Sequence, residues 1–109
     1  GLSMGGFAVW ELALRNPERF AAVMPVCGGG DPARAAKLTG LPVLAVHGSA
    51  DTVVPVRLSR EMVRAIWNAG GENVVYQELP LCGHDAWTPA FRCADNWKWL
   101  FAQQNQQNQ

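Results

Sequence analysis

Residues 42–47 read PVLAVH, and residues 48–55 continue GSADTVVP. The first stretch is apolar without alternation, the pattern of a strand covered on both faces inside a parallel sheet. The second opens on Gly, Ser and Ala and closes on Pro, so it reads as a loop leaving the strand's carboxyl end, and it carries one acidic side chain, Asp51. In a parallel sheet the carboxyl ends of the strands share one edge, and that edge is where sites form.

Working toward the C-terminus, Leu58, Met62, Ala65, Ile66 and Ala69 form a stripe of helical period, with Arg57, Arg60, Glu61 and Arg64 outside it. Gly70-Gly71 closes that helix, and residues 73–79 read as another strand. Residues 81–87, LCGHDAW, then place His84 just past a strand. Ala90, Phe91, Ala94, Trp97, Leu100 and Phe101 have the spacing of one last helix. Residues 103–109 are Gln and Asn only, a low-complexity tail expected to be disordered, which leaves residues 1–102 as one domain.

Working toward the N-terminus, Asp31-Pro32 is an N-cap and first-turn pair for a short helix stopping near Gly40. Cys27-Gly28-Gly29-Gly30 is a loop, and residues 21–26 read as a short strand with Pro25 at its end or on an edge. Residues 4–16 form a helix apolar on nearly every side, with Phe7, Val9, Trp10, Leu12 and Leu14, as in a core; Asn16-Pro17 ends it. Strand and helix alternate at the spacing of βα units, so the class is α/β, a parallel sheet flanked by helices. Three strands are few for such a sheet, and the chain starts at Gly1 without Met, inside a motif. The expectation is a piece of a larger protein whose N-terminal strands precede Gly1.

The chain has 109 residues, 49% hydrophobic and 17% charged, enough for one core and too apolar for a disordered chain. Nine basic and nine acidic residues cancel, so no basic stripe points to nucleic acid. Charges, Pro and Gly interrupt every apolar run short of a membrane span. Three Cys without zinc spacing imply neither a disulfide framework nor a metal site.

The chemistry begins at Gly1-Leu2-Ser3-Met4-Gly5, which fits G-x-S-x-G and is followed by Gly6. That pattern is a sharp strand-to-helix turn exposing a Ser hydroxyl, with small residues on either side so that strand and helix can approach. The helix N-terminus places partial positive charge beside a developing oxyanion. Ser3, Asp51 and His84 then occur in the order Ser…Asp…His, each just past a strand, the order of the α/β hydrolases.

GLSMGG, HGSADTVVP and CGHDAW resemble the C-terminal half of an α/β-hydrolase-fold serine hydrolase. The resemblance is to dienelactone-hydrolase-like and polyhydroxybutyrate-depolymerase-like esterases, including the predicted peptidase group and acetyl-xylan and feruloyl esterases. It runs from residue 1 to about residue 102. It implies Ser3 as nucleophile, Asp51 as triad acid, His84 as base and the Met4 backbone N–H as one oxyanion donor. It implies no metal and no organic cofactor, and a small-molecule or carbohydrate-linked ester as substrate. The strand before the elbow and the loop supplying the second oxyanion donor are missing, so the fragment is expected to be weakly active or inactive alone. Dienelactone hydrolases proper carry Cys at the elbow; Ser points to esterases.

Other residues have plainer readings. His47, in the HGxxD turn, is read as structural and not as a rival base. Asp85 adjoins His84, where adjacent side chains diverge, and Asp31 is a helix cap. Trp87 either walls a substrate pocket or packs the last helix, while Trp10, Trp97 and Trp99 are core. Cys27 and Cys82 follow strands and can be bridged or two thiols, and the state of Cys93 stays open. The rival functions are a serine peptidase of the prolyl-oligopeptidase type and a non-catalytic α/β binding module. Localisation stays open, because a signal peptide would precede Gly1.

Overall fold

A computed structural model describes residues 1–104, so most of the Gln/Asn tail, residues 105–109, lies outside the described residues. The first tail residue is tied down: Gln103 Nε2 donates to the Trp99 carbonyl at 2.8 Å, and its Oε1 accepts from Asn73 Nδ2 at 2.9 Å.

The run PVLAVH becomes β1 (Val43–Gly48), paired in parallel with β2 (Val74–Leu79) in the register Val43 to Val74 through Gly48 to Leu79. All six residues of β1 are buried, because helices cover both faces. Val43 and Ala45 join one core, with Trp10, Leu14, Leu38, Met62 and Ile66; Leu44 and Val46 join the other, with Met24, Val26, Ala86 and Ala90. Successive side chains point to opposite faces, so a strand with two cores must be apolar throughout.

Residues 23–27 run along the other side of β1. Val23 N–H donates to Pro42 O, Leu44 N–H to Val23 O, Val46 N–H to Pro25 O and Cys27 N–H to Val46 O, all between 2.9 and 3.1 Å. One rung is absent, the one that Pro25 has no N–H to donate, and the strand is reduced to the bridges Val23–Val43 and Val26–Val46. Of the two positions expected for Pro25, a strand end or an edge, the edge is excluded. The opening residues pair outside it, with Val26 N–H to Gly1 O at 2.8 Å and Ser3 N–H to Val26 O at 2.9 Å. Four parallel tracks thus follow one another in chain order: residues 1–3, residues 23–27, β1 and β2.

On one face lie α1 (Met4–Arg15), a 3-10 helix (Pro32–Leu38) and α2 (Arg57–Asn68); on the other lie α3 (Trp87–Arg92) and α4 (Ala94–Phe101). Asp31 caps the 3-10 helix through Oδ1, which accepts from Ala33 N–H at 3.1 Å. Gly70, at φ 101°, ends α2: its N–H reaches Trp67 O, and Gly71 N–H reaches Ile66 O at 2.9 Å.

Helix α1 buries Gly6, Trp10, Ala13 and Leu14 among the described residues, while Met4 is 85% and Leu12 50% exposed, as expected of an apolar helix whose other partners are not among these residues. One expectation needs correction. The single C-terminal helix is two, broken at Cys93, whose ψ of 107° is extended. The carbonyls that would continue the helix are taken by side chains: Asn96 Nδ2 donates to Ala90 O at 3.0 Å and Trp97 Nε1 to Phe91 O at 2.6 Å. All three cysteines are free thiols.

Candidate active site

The turn from residues 1–3 into α1 puts Ser3 at φ 52° and ψ −118°, a conformation that side-chain-bearing residues seldom adopt. Such backbone costs about 1–3 kcal/mol and persists where its surroundings fix it. Here the Ser3 N–H is held by Val26 O, and Gly6 lies so close to the next strand that a Cβ would sit 2.6 Å from the same carbonyl. Of the flanking glycines, Gly1 is equally confined by Gly5 O, whereas Gly5 has open space, so the close approach falls on Gly1 and Gly6.

Three loops at the carboxyl edge of the sheet then meet. Ser3 Oγ lies 2.9 Å from His84 Nε2, and His84 Nδ1 lies 2.9 Å from Asp51 Oδ2. The Asp51 side chain is fully buried and that of His84 is 22% exposed. Burial pushes the Asp51 carboxyl up, but the His84 hydrogen bond and the N–H groups of Val54 and Val53, each 2.8 Å from Oδ1, outweigh it and leave it below the usual carboxylate range. An ionised Asp51 only accepts, which fixes the proton of His84 on Nδ1 and leaves the Nε2 lone pair facing the Ser3 hydroxyl. Met4 opens α1, so its N–H is among the donors a helix leaves unpartnered at its start.

The remaining expected residues have other partners. His47 is fully buried, with Nδ1 2.7 Å from Ser59 Oγ and Nε2 2.9 Å from Val54 O; Ser59 Oγ in turn donates to Gly28 O. It pins the Asp51 turn to α2, and its Nε2 is also 3.4 Å from Asp51 Oδ2. Trp10 is in the first core, and Trp97 and Trp99 pack on the second. Trp87 meets the His84 ring edge-on, with centroids 5.3 Å apart and planes at 89°.

Contacts without a sequence signal complete the site. Ser49 N–H donates to Leu79 O, Ser49 Oγ accepts from Leu81 N–H at 2.9 Å, and Ala50 N–H donates to Cys82 O at 2.8 Å, stitching the Asp51 loop to the His84 loop. A Cβ at Gly48 would collide with the carbonyls of Cys82 and Gly83. Below them Cys27 Sγ donates to His84 O at 3.4 Å; burial, then the Asp51 charge, pushes this thiol up to about 11. Cys27, His47 and Asp51 offer donor atoms within 4.8 Å of one another, a spacing compatible with a metal ion. Each of the three is already engaged in the hydrogen bonds just described, and a protonated thiol is a poor ligand, so the trio fits a hydrogen-bonded support better than a metal centre.

No family model and no curated protein matches the chain significantly. Among solved structures, a thermostable esterase is 36% identical over 95% of this chain, with a TM-score of 0.92. Esterase PE8 is 26% identical over 94% of the chain, with a TM-score of 0.69. An acyl-protein thioesterase 2 from Zea mays, 20% identical with a TM-score of 0.64, shares the fold. The chain spans 30%, 46% and 53% of the lengths of these three proteins. Over the portion it shares with these esterases, the chain has the α/β-hydrolase fold.

Proposed function

We propose that the protein is a serine hydrolase that cleaves a carboxylic ester through an acyl-enzyme, with residues 1–102 forming the C-terminal part of its catalytic domain. The observation that carries this reading is the continuous line of hydrogen bonds from Ser3 Oγ through His84 to Asp51. The likeness to two esterases supports ester over other acyl substrates. The substrate is a small-molecule or carbohydrate-linked ester.

Ser3 Oγ attacks the carbonyl carbon while its proton passes to His84 Nε2. Asp51, ionised and buried, stabilises the imidazolium so formed. The Met4 N–H and the start of α1 face the oxygen on which negative charge develops, the role in which preorganised donors contribute most. Collapse expels the alcohol with the proton from Nε2, leaving an ester on Ser3. Water then gives its proton to the same nitrogen and attacks the acyl carbon; the Ser3–acyl bond breaks as Nε2 returns the proton to Ser3 Oγ, releasing the acid. No step needs a metal or organic cofactor.

The test is p-nitrophenyl acetate turnover by the full-length protein with Ser3→Ala and His84→Ala. Each change removes half of one nucleophile–base unit, so the two losses are expected to be large, similar and non-additive. A fluorophosphonate probe should label the native protein and not the Ser3→Ala variant. Turnover retained in both variants, or a native protein that the probe does not label, overturns the proposal; the latter result indicates a binding module.

A further inference from the structure

The His84 ring is held at both nitrogens, by Ser3 and Asp51, and through its carbonyl by Cys27. Trp87 also meets this ring, at right angles with centroids 5.3 Å apart. Trp87 is the first residue of α3, whose Ala90 and Phe91 pack on the core beside β1, so the indole stands on an anchored element. Perpendicular aromatic pairs at this spacing are attractive and directional.

This arrangement matters most midway through the reaction proposed above, on which the inference rests. Once Ser3 Oγ carries the acyl group it has no proton to offer, and His84 keeps one ring hydrogen bond, Nδ1–H to Asp51. A ring held at one nitrogen can tilt about that bond. Yet this is when Nε2 must accept a proton from water as the water oxygen bonds to the acyl carbon, then return a proton to Ser3 Oγ as the Ser3–acyl bond breaks. We propose that Trp87 is a positioning residue that keeps His84 upright in the acyl-enzyme and so sets the rate of deacylation. It touches no reacting atom.

The experiment uses the full-length protein with Trp87→Leu, which keeps apolar bulk without a ring, and Trp87→Phe, which keeps a ring edge. Substrates are p-nitrophenyl acetate and the corresponding octanoate. The expected Leu variant shows kcat about tenfold lower, KM lower in proportion, kcat/KM unchanged for both esters and a larger pre-steady-state burst of p-nitrophenol. Phe restores kcat. That pattern belongs to slowed deacylation, because kcat/KM contains only steps up to acylation. A loss of kcat/KM that grows with acyl length makes Trp87 a pocket wall and overturns the proposal, as does a Leu variant indistinguishable from native. Should the Leu variant fail to fold, Trp87→Met carries the same comparison. A Ser3→Ala variant measured alongside separates the two readings: its retained turnover overturns the acyl-enzyme on Ser3, whereas its loss with Trp87 variants unaffected overturns only the role of Trp87.

Discussion

At the scale of single residues, Asp51 is the most constrained of the three that meet: buried, accepting from two backbone amides and one imidazole, and held below the usual carboxylate range. Asp51→Asn keeps its size but can donate to His84 Nδ1, moving the ring proton to Nε2 and presenting Ser3 with a second donor. The expected loss of kcat is on the order of 10⁴-fold with KM little changed, measured by steady-state hydrolysis. That Ser3, Asp51 and His84 come together is legible in the sequence, because each lies just past a strand and strand ends in a parallel sheet converge. Ser49, Cys27 and the approach of Gly48 to the His84 loop were not, since nothing in a linear sequence pairs residues 48–50 with residues 79–83. Gly5 was over-read: the pentapeptide pattern names it, but Gly6 meets the neighbouring strand.

At the scale of elements, α2 and β2 are joined by a cluster of three side chains. Arg60 Nε and Nη2 each lie 2.6 Å from the Glu78 carboxylate, and Tyr76 donates its hydroxyl to the same group at 2.8 Å. The Arg60 bonds, against burial and helped by Tyr76, hold Glu78 down at about 2, while burial and the Glu78 charge push the Tyr76 phenol up. A carboxyl depressed on folding stabilises the protein above its unfolded value of 4.5, and that contribution disappears as pH falls toward 2. Urea unfolding of the native protein and of Glu78→Gln is expected to converge over this window, the variant having the flatter pH dependence. Element positions were readable from period and punctuation for β1, β2 and α2. The break at Cys93 was not, because it is made by Asn96 and Trp97 side chains taking helix carbonyls. Pro25 points by sequence to a strand end or an edge, whereas the sheet spares one rung and carries on past it to residues 1–3.

At the scale of the whole molecule, the parallel direction of the strands was implicit in the alternation of strands and helices, whereas their lateral order was not. Met4, Phe7 and Leu12 are exposed on α1, with Leu2 beside them. The 109 residues expressed alone are therefore expected to bind an apolar dye and to self-associate, as sedimentation would record, and Met4→Glu with Leu12→Lys should reduce both. No helix among the described residues is long and apolar enough to cross a membrane. The contact between Ser3 and His84 joins residues 81 apart in sequence, and that between His84 and Asp51 joins residues 33 apart. Contacts of that span are formed at the expense of chain entropy before they return any energy, so a topology built on them folds slowly. On the mechanism proposed above, Ser3 then becomes a clock for folding of the full-length protein. During refolding from urea, its capture by a fluorophosphonate should keep pace with the slowest optical phase and never run ahead of it, because the three loops become neighbours only through contacts of long sequence span.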